Sequence, residues 1–225
     1  MPRQARIVVP GLPHLVTQRG NRRAPIFFEP GDPVVYRELL AREAKRRDVQ
    51  VWAYCLMPNH VHLILTPATA QGLGLAVGEA HRRYTNYINA RAGWTGHLFQ
   101  SRFASVAMDE DHLMAAVRYL ALNPVRARLA ERARDWRWSS TRAHVTGADD
   151  DLVAVASILA RTDRFADLLE TAGRDEPARF AALRRAEITG RPAGAPDFVA
   201  DIERRLGRSI TPRPRGRPRM VTLSG

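Results

Sequence analysis

One cysteine and one lysine in 225 residues are the sharpest shortages of this sequence. The lone Cys55 excludes an internal disulfide and any cysteine-based zinc site, which fits a reducing cytoplasm. No apolar stretch approaches the roughly 20 residues of a membrane-spanning helix. The N-terminus, MPRQARIVVPGLP, carries arginines but only a short apolar run, so no signal peptide is expected there. Lys45 follows Ala44, so the chain has no Gly-Lys P-loop and no nucleotide-driven chemistry is expected. An HExxH motif is missing as well, which leaves a zinc hydrolase without support. No internal repeat is visible.

What the chain has in excess is arginine. Of its 35 basic residues only Lys45 is a lysine, and the formal net charge is +12. Such a balance attracts phosphate backbones without regard to sequence, although GC-rich coding also produces arginine-rich chains. The runs His14–Arg19, Val49–Met57, Val61–Pro67 and Phe103–Asp109 read as strands, and Pro58–His60 reads as a short hairpin connection. The segment Asp32–Arg47 has an N-cap candidate in Asp32, a proline at the first position and a basic end, so it reads as a helix. Leu73–Arg91 and Glu110–Leu122 also read as helices, and NPVRARLAERA as a further helical piece. Strand, helix, strand, strand, helix, strand is the split βαβ order of a ferredoxin-like α+β domain with an antiparallel central sheet. This domain is expected over residues 1–147, a mostly helical extension over 148–207, and a flexible basic tail over 208–225. Within the extension, Leu152–Leu169, Glu176–Ile188 and Asp197–Leu206 read as amphipathic helices.

Two features carry chemistry. His60 and His62 stand at i and i+2 on a strand, so both imidazoles face the same way. That spacing suits two ligands of one metal ion, and equally suits two hydrogen-bonded histidines on a polar face. Tyr119 and Asn123 lie four residues apart on one helix face, with Pro124 ending the helix just after Asn123. A tyrosine and an amide held at a helix end can aim into a site, or serve as core aromatic and cap. Tyr84 and Tyr87, on another helix, have no metal motif beside them and read as packing or stacking residues. Asp109, Glu110 and Asp111 read as helix capping, and His14, His81, His97, His112 and His144 receive no metal role.

Five stretches in register go further: LVTQRGNRRAPIF, YCLMPNHVHLIL, HLFQSRFAS, RYLALNPVRARL and WRWSS. Together they closely resemble the REP-associated tyrosine transposases of the HUH superfamily, over roughly the first 145 residues. The resemblance implies that His60 and His62 hold a divalent ion, Mg²⁺ or Mn²⁺, with Asn123 as third ligand. It implies Tyr119 as the nucleophile that cuts single-stranded DNA, leaving a 5′-phosphotyrosine. It also implies a partner, a repetitive palindromic hairpin with a single-stranded guide tetranucleotide, met by a monomeric bacterial protein at the nucleoid, with a dimer left open.

For DNA contact the basic loop Arg19, Gly20, Asn21, Arg22, Arg23 stands first, since arginine pairs with phosphate or guanine and asparagine reads a base edge. Arg102 is a second candidate, with a structural ion pair as its alternative. In the tail, Arg215, Gly216 and Arg217 within PRGRPR are similar to an AT-hook core for a narrow minor groove, or form a general basic tail. A non-cleaving regulator of palindromic repeats on the same fold is the competing functional class, followed by a replication initiator or relaxase.

Overall fold

A computed structural model, which describes residues 6–170 and 176–210, begins with strand β1 (His14–Arg19), helix α1 (Asp32–Arg46), and strands β2 (Val49–Met57) and β3 (His60–Pro67). Helix α2 (Gly72–Ala92), strand β4 (Ala104–Ala107) and helix α3 (Glu110–Ala121) follow. The sheet order is β2-β3-β1-β4 with every neighbour antiparallel, which is the split βαβ topology expected from the strand and helix order. The AT-hook-like residues Arg215, Gly216 and Arg217 lie outside the described residues.

Alternation along the strands divides the molecule into layers. Val61, Leu63 and Leu65 of β3 point toward α1 and α2 and join a core with Tyr36, Leu40, Val77 and Tyr84. Ile64 of β3 and Leu15 of β1 point the other way, into a second core with Val117 and Leu120 of α3. His60 and His62 share the parity of Ile64, so they belong to the α3 face. The hairpin turn at Pro58–Asn59 pairs Met57 with His60 and fixes this register. A one-residue slip would send both histidines into the opposite core.

The outer edge of β2 is covered rather than exposed. Leu56 donates its amide to the Trp138 carbonyl at 2.8 Å, and Trp136 donates its indole N–H to the Leu56 carbonyl at 3.0 Å. Thus the WRWSS stretch closes an edge that would otherwise invite pairing with another chain.

The remaining chain forms α4 (Asn123–Arg126), α5 (Thr141–Thr146), α6 (Ala156–Leu159), α7 (Phe165–Glu170), α8 (Glu176–Thr189) and α9 (Pro196–Leu206). Two expectations need correction here. The helical piece starting at Asn123 ends after one turn, where Arg128 takes a left-handed conformation with φ 57°. The expected helix Leu152–Leu169 is instead two short helices, α6 and α7, and its start stays extended beside β2, where Ala154 donates its amide to the Val51 carbonyl. Ile158, Phe165, Phe180 and Leu183 pack with Trp52, Ile64 and Val117, so α6, α7 and α8 complete the core on the α3 face. Each such buried side chain contributes roughly 1.5–3 kcal/mol. Among the described residues no helix is long and apolar enough to cross a membrane.

Asp32 also departs from expectation. Gly31 takes the cap position of α1, and the Asp32 carboxylate instead accepts the Phe28 and Glu29 amides at 2.7 and 2.9 Å. Arg91 of α2 donates to both carboxylate oxygens, at 2.5 and 2.9 Å. Burial opposes the charge, but the guanidinium and the two amides outweigh it and hold the carboxyl below its usual range. The resulting stability is present above the ordinary carboxylate pKa and is lost as pH falls through the depressed value. Asp32→Asn should therefore cost roughly 1–3 kcal/mol at neutral pH and flatten the acid side of the stability curve. Urea unfolding from pH 7 downward tests this, and an unchanged acid limb in the variant would refute it.

Candidate active site

The two imidazoles on β3 sit edge to face, with ring centroids 4.8 Å apart. Each sends its Nδ1 toward a partner on the protein. His60 Nδ1 lies 2.6 Å from the Asn59 side-chain oxygen, and Asn59 in turn donates its amide to the Arg23 carbonyl at 3.1 Å. His62 Nδ1 lies 3.0 Å from the Thr17 hydroxyl of β1. Thr17 is the cross-strand partner of His62, and that register makes the contact possible. Thr17 itself donates to the Glu187 carboxylate of α8 at 2.5 Å. With Nδ1 engaged, both rings leave Nε2 for another ligand.

Electrostatics keep the pair neutral. Burial pushes His60 down to about 4, helped by Arg19, and pushes His62 well below its ordinary value, helped by His60, Arg19 and Arg126. Neutral imidazole is the metal-binding form. Glu187 moves the other way: burial raises its pKa, while the Thr17 hydrogen bond and the charges of Arg19 and Arg184 oppose the rise.

Tyr119 of α3 reaches this face with its ring 5.5 Å from the His62 ring. Phe180 of α8 packs edge-on against it at 5.1 Å, and the Arg126 guanidinium lies 4.3 Å above the Tyr119 ring. Arg126 also donates to the Tyr119 carbonyl at 2.7 Å, which ties the short α4 to α3. Asn123 begins α4 at the point where Pro124 breaks α3. Its side-chain amide nitrogen is buried and without a hydrogen-bond partner among the described residues. Amide oxygen and nitrogen are assigned from their partners, and an oxygen turned to that position would have a ready use as a cation ligand. Among the described residues no group of three or more His, Cys, Asp or Glu side chains is arranged to hold a metal. Two imidazoles and one amide are a donor set that fits a divalent ion whose remaining positions go to oxygen ligands.

The rival tyrosines are accounted for by packing. Tyr84 is fully buried and donates to the Ile26 carbonyl at 2.7 Å, while Tyr87 lies beneath the Arg91 guanidinium. Asp109 caps α3 by accepting the His112 amide at 2.9 Å, as its position before the helix suggested.

The basic loop hangs directly from the histidine turn. Gly20 donates its amide to the Asn59 carbonyl at 2.8 Å, and Asn21, Arg22 and Arg23 form an exposed turn in which Arg22 and Arg23 have φ 54° and 63°. A side chain on Gly20 would stand 2.2 Å from the Ala24 carbonyl oxygen. The glycine is therefore required for the loop to fold on itself. Arg19 points to the histidine face, and Arg102 does not join it. Arg102 lines a groove of about 530 Å³ on the opposite face, beside Arg6, Arg82, Gln18 and His97. Burial lowers the Arg6 pKa there, and the nearby Arg102 charge adds to that.

The IS200-like transposase model matches residues 12–123, a span that contains both histidines, Tyr119 and Asn123. Through that domain the chain belongs to the IS200-like transposases. In structure it is similar to a REP-associated tyrosine transposase bound to a REP hairpin, with TM-score 0.56 and 20% identity over 68% of this chain and 92% of that one. That likeness carries the fold. A candidate transposase from Deinococcus radiodurans R1 aligns with TM-score 0.37 and 18% identity over 57% of this chain and 92% of that one. No curated protein sequence matches the chain. Sequence reasoning missed Thr17, Arg126, Phe180 and Glu187 around this candidate site. Thr17 and Arg126 carried a signal, one through strand parity and the other through helical spacing from Tyr119. Phe180 and Glu187 lie beyond the matched residues and carried none.

The neutral histidines give a stability prediction. Between pH 6.5 and about 4 the unfolded chain takes up a proton that His60 refuses in the fold. Stability should fall across that window by at most about 1.4 kcal/mol per pH unit for this group. His60→Gln should make the slope shallower in urea melts at pH 7 and pH 5. A slope identical to that of the parent would contradict the neutral state.

Proposed function

We propose that this transposase is a single-strand DNA nicking and strand-transfer enzyme that acts on palindromic hairpins through a 5′-phosphotyrosine intermediate. The observation that carries the reading is the convergence of Tyr119 on His62, from a helix onto a strand, across the second sheet face. His60, His62 and Asn123 are the residues that would hold Mg²⁺ or Mn²⁺. Such an ion, when bound, supplies a Lewis acid for the scissile phosphate.

The chain's own residues do the rest. The Tyr119 hydroxyl attacks phosphorus, its proton leaves to solvent, and the bond to the 3′ oxygen breaks to give a free 3′-OH. The 5′ end stays on tyrosine as a phosphodiester, so the bond energy is kept for rejoining without a nucleotide cofactor. The Arg126 guanidinium, 4.3 Å from the centroid of the Tyr119 ring, places positive charge over the ring. Arg19 and the Asn21–Arg23 turn, tied to the histidine hairpin, hold the strand at the cut. The groove with Arg6, Arg82 and Arg102 takes the DNA on the other side of β1, and the guide tetranucleotide is read between them. The protein works as a monomer at the bacterial nucleoid, in the cytoplasm.

One contact favours a second reading. Phe180 packs against Tyr119, which suits a hairpin-binding regulator that does not cut. The two separate in a nicking assay on labelled single-stranded hairpins with Mn²⁺ or EDTA. The transposase reading expects a metal-dependent covalent adduct that Tyr119→Phe abolishes, with at least about a 1000-fold loss of rate on removing the nucleophile. Tight hairpin binding without an adduct under any metal would establish the regulator. A second expectation concerns binding: Arg22→Ala should weaken hairpin affinity uniformly and reduce the salt dependence by roughly one phosphate contact.

A further inference from the structure

Glu187 lies beyond the matched residues, on a helix with no sequence signal for catalysis, yet its carboxylate is carried to the histidine face. Its Oε1 accepts the Thr17 hydroxyl hydrogen at 2.5 Å and stands 3.7 Å from His62 Nδ1. A hydroxyl has a single hydrogen to give. Because Thr17 donates to the carboxylate, its oxygen can only accept from His62, and the ring must carry its proton on Nδ1. That leaves the lone pair on Nε2. The order His62, Thr17, Glu187 is a one-way chain of donors that ends in an acceptor-only group.

We infer that Glu187 and Thr17 are positioning residues for the metal site: helix α8 fixes the tautomer and orientation of His62 through Thr17. Carboxylates that orient ligating histidines from behind are a general device of metal sites; here one intervening hydroxyl relays the effect. The helix is well seated for the task. Phe180, Leu183 and Ala186 are buried in the core of that face, and the chain after α8 is pinned to β4 by the Ala193 amide on the Ala107 carbonyl at 2.8 Å. A bare steric role would need no carboxylate at position 187, and a purely structural Glu187 would need no acceptor aligned with the histidine's partner. On this reading residues 176–189 complete the catalytic site from outside the transposase domain proper.

The inference rests on the reading of His60 and His62 as metal ligands, and the test separates the two. Full-length protein without DNA is titrated with Mn²⁺ and followed by the loss of the free-ion electron paramagnetic resonance signal, with fold checked by circular dichroism. Imidazole ¹⁵N shifts give the His62 tautomer in metal-free protein. Glu187→Ala and the isosteric Thr17→Val should each weaken Mn²⁺ binding on the order of 10–100-fold, while Thr17→Ser restores it to within about threefold. The parent should show His62 protonated on Nδ1, and both disruptive variants should lose that single tautomer. Folded variants that bind Mn²⁺ like the parent, or a parent His62 protonated on Nε2, would overturn the positioning role. Should the parent itself bind no Mn²⁺, the metal reading falls on its own, and the tautomer still decides the hydrogen-bond chain. Faster nicking in Glu187→Ala with unchanged Mn²⁺ affinity would also overturn it, and would make α8 a cover instead.

Discussion

Two imidazoles can share a buried sheet face only if both stay neutral and each has somewhere to send its Nδ1 proton. That constraint organises the whole site. Asn59 takes the proton of His60, and Thr17 takes that of His62. Burial and the surrounding cations then make a second charge on either ring costly. Remove either acceptor and the ring is free to rotate or change tautomer, and its Nε2 is no longer held available for a ligand. The hairpin register, the Pro58–Asn59 turn and the cross-strand position of Thr17 all follow from this requirement.

Strand β1 is the element on which the two faces meet. Thr17 and Arg19 point to the histidines, while Gln18 between them points into the groove with Arg6 and Arg102. A single strand thus links the proposed cutting face to a basic surface on the far side. Helix α3 supplies Tyr119, and the short α4 that follows at Pro124 carries Arg126, whose guanidinium lies over the tyrosine. Buried area does the heavy holding, and the few polar contacts decide direction.

Most of this frame was legible in the sequence, and the residues show why. Period-two alternation in VHLIL placed both histidines opposite Val61 and Leu63, and the spacing of Tyr119 and Asn123 with Pro124 marked a helix end. Both are local patterns, and the sheet carries them through unchanged. Capping logic succeeded at Asp109 but failed at Asp32, whose carboxylate turns away from α1 to the Phe28 and Glu29 amides and to Arg91 of another helix. The Leu152–Leu169 stretch looked helical by composition, yet tertiary pairing with Val51 held its start extended. Glu187 was invisible for the same reason: its partner Thr17 is 170 positions away in the chain, and only the packing of α8 brings them together.

The most direct measurement is to trap the protein on a single-stranded hairpin, digest it with trypsin, and find which peptide carries the nucleotide by mass spectrometry. Attack by the tyrosine facing His62 puts the DNA on the peptide Tyr119–Arg126, released by cleavage after Arg118 and Arg126. A nucleotide on the peptide that holds Tyr84 or Tyr87, with Tyr119 unmodified, would contradict the site described above.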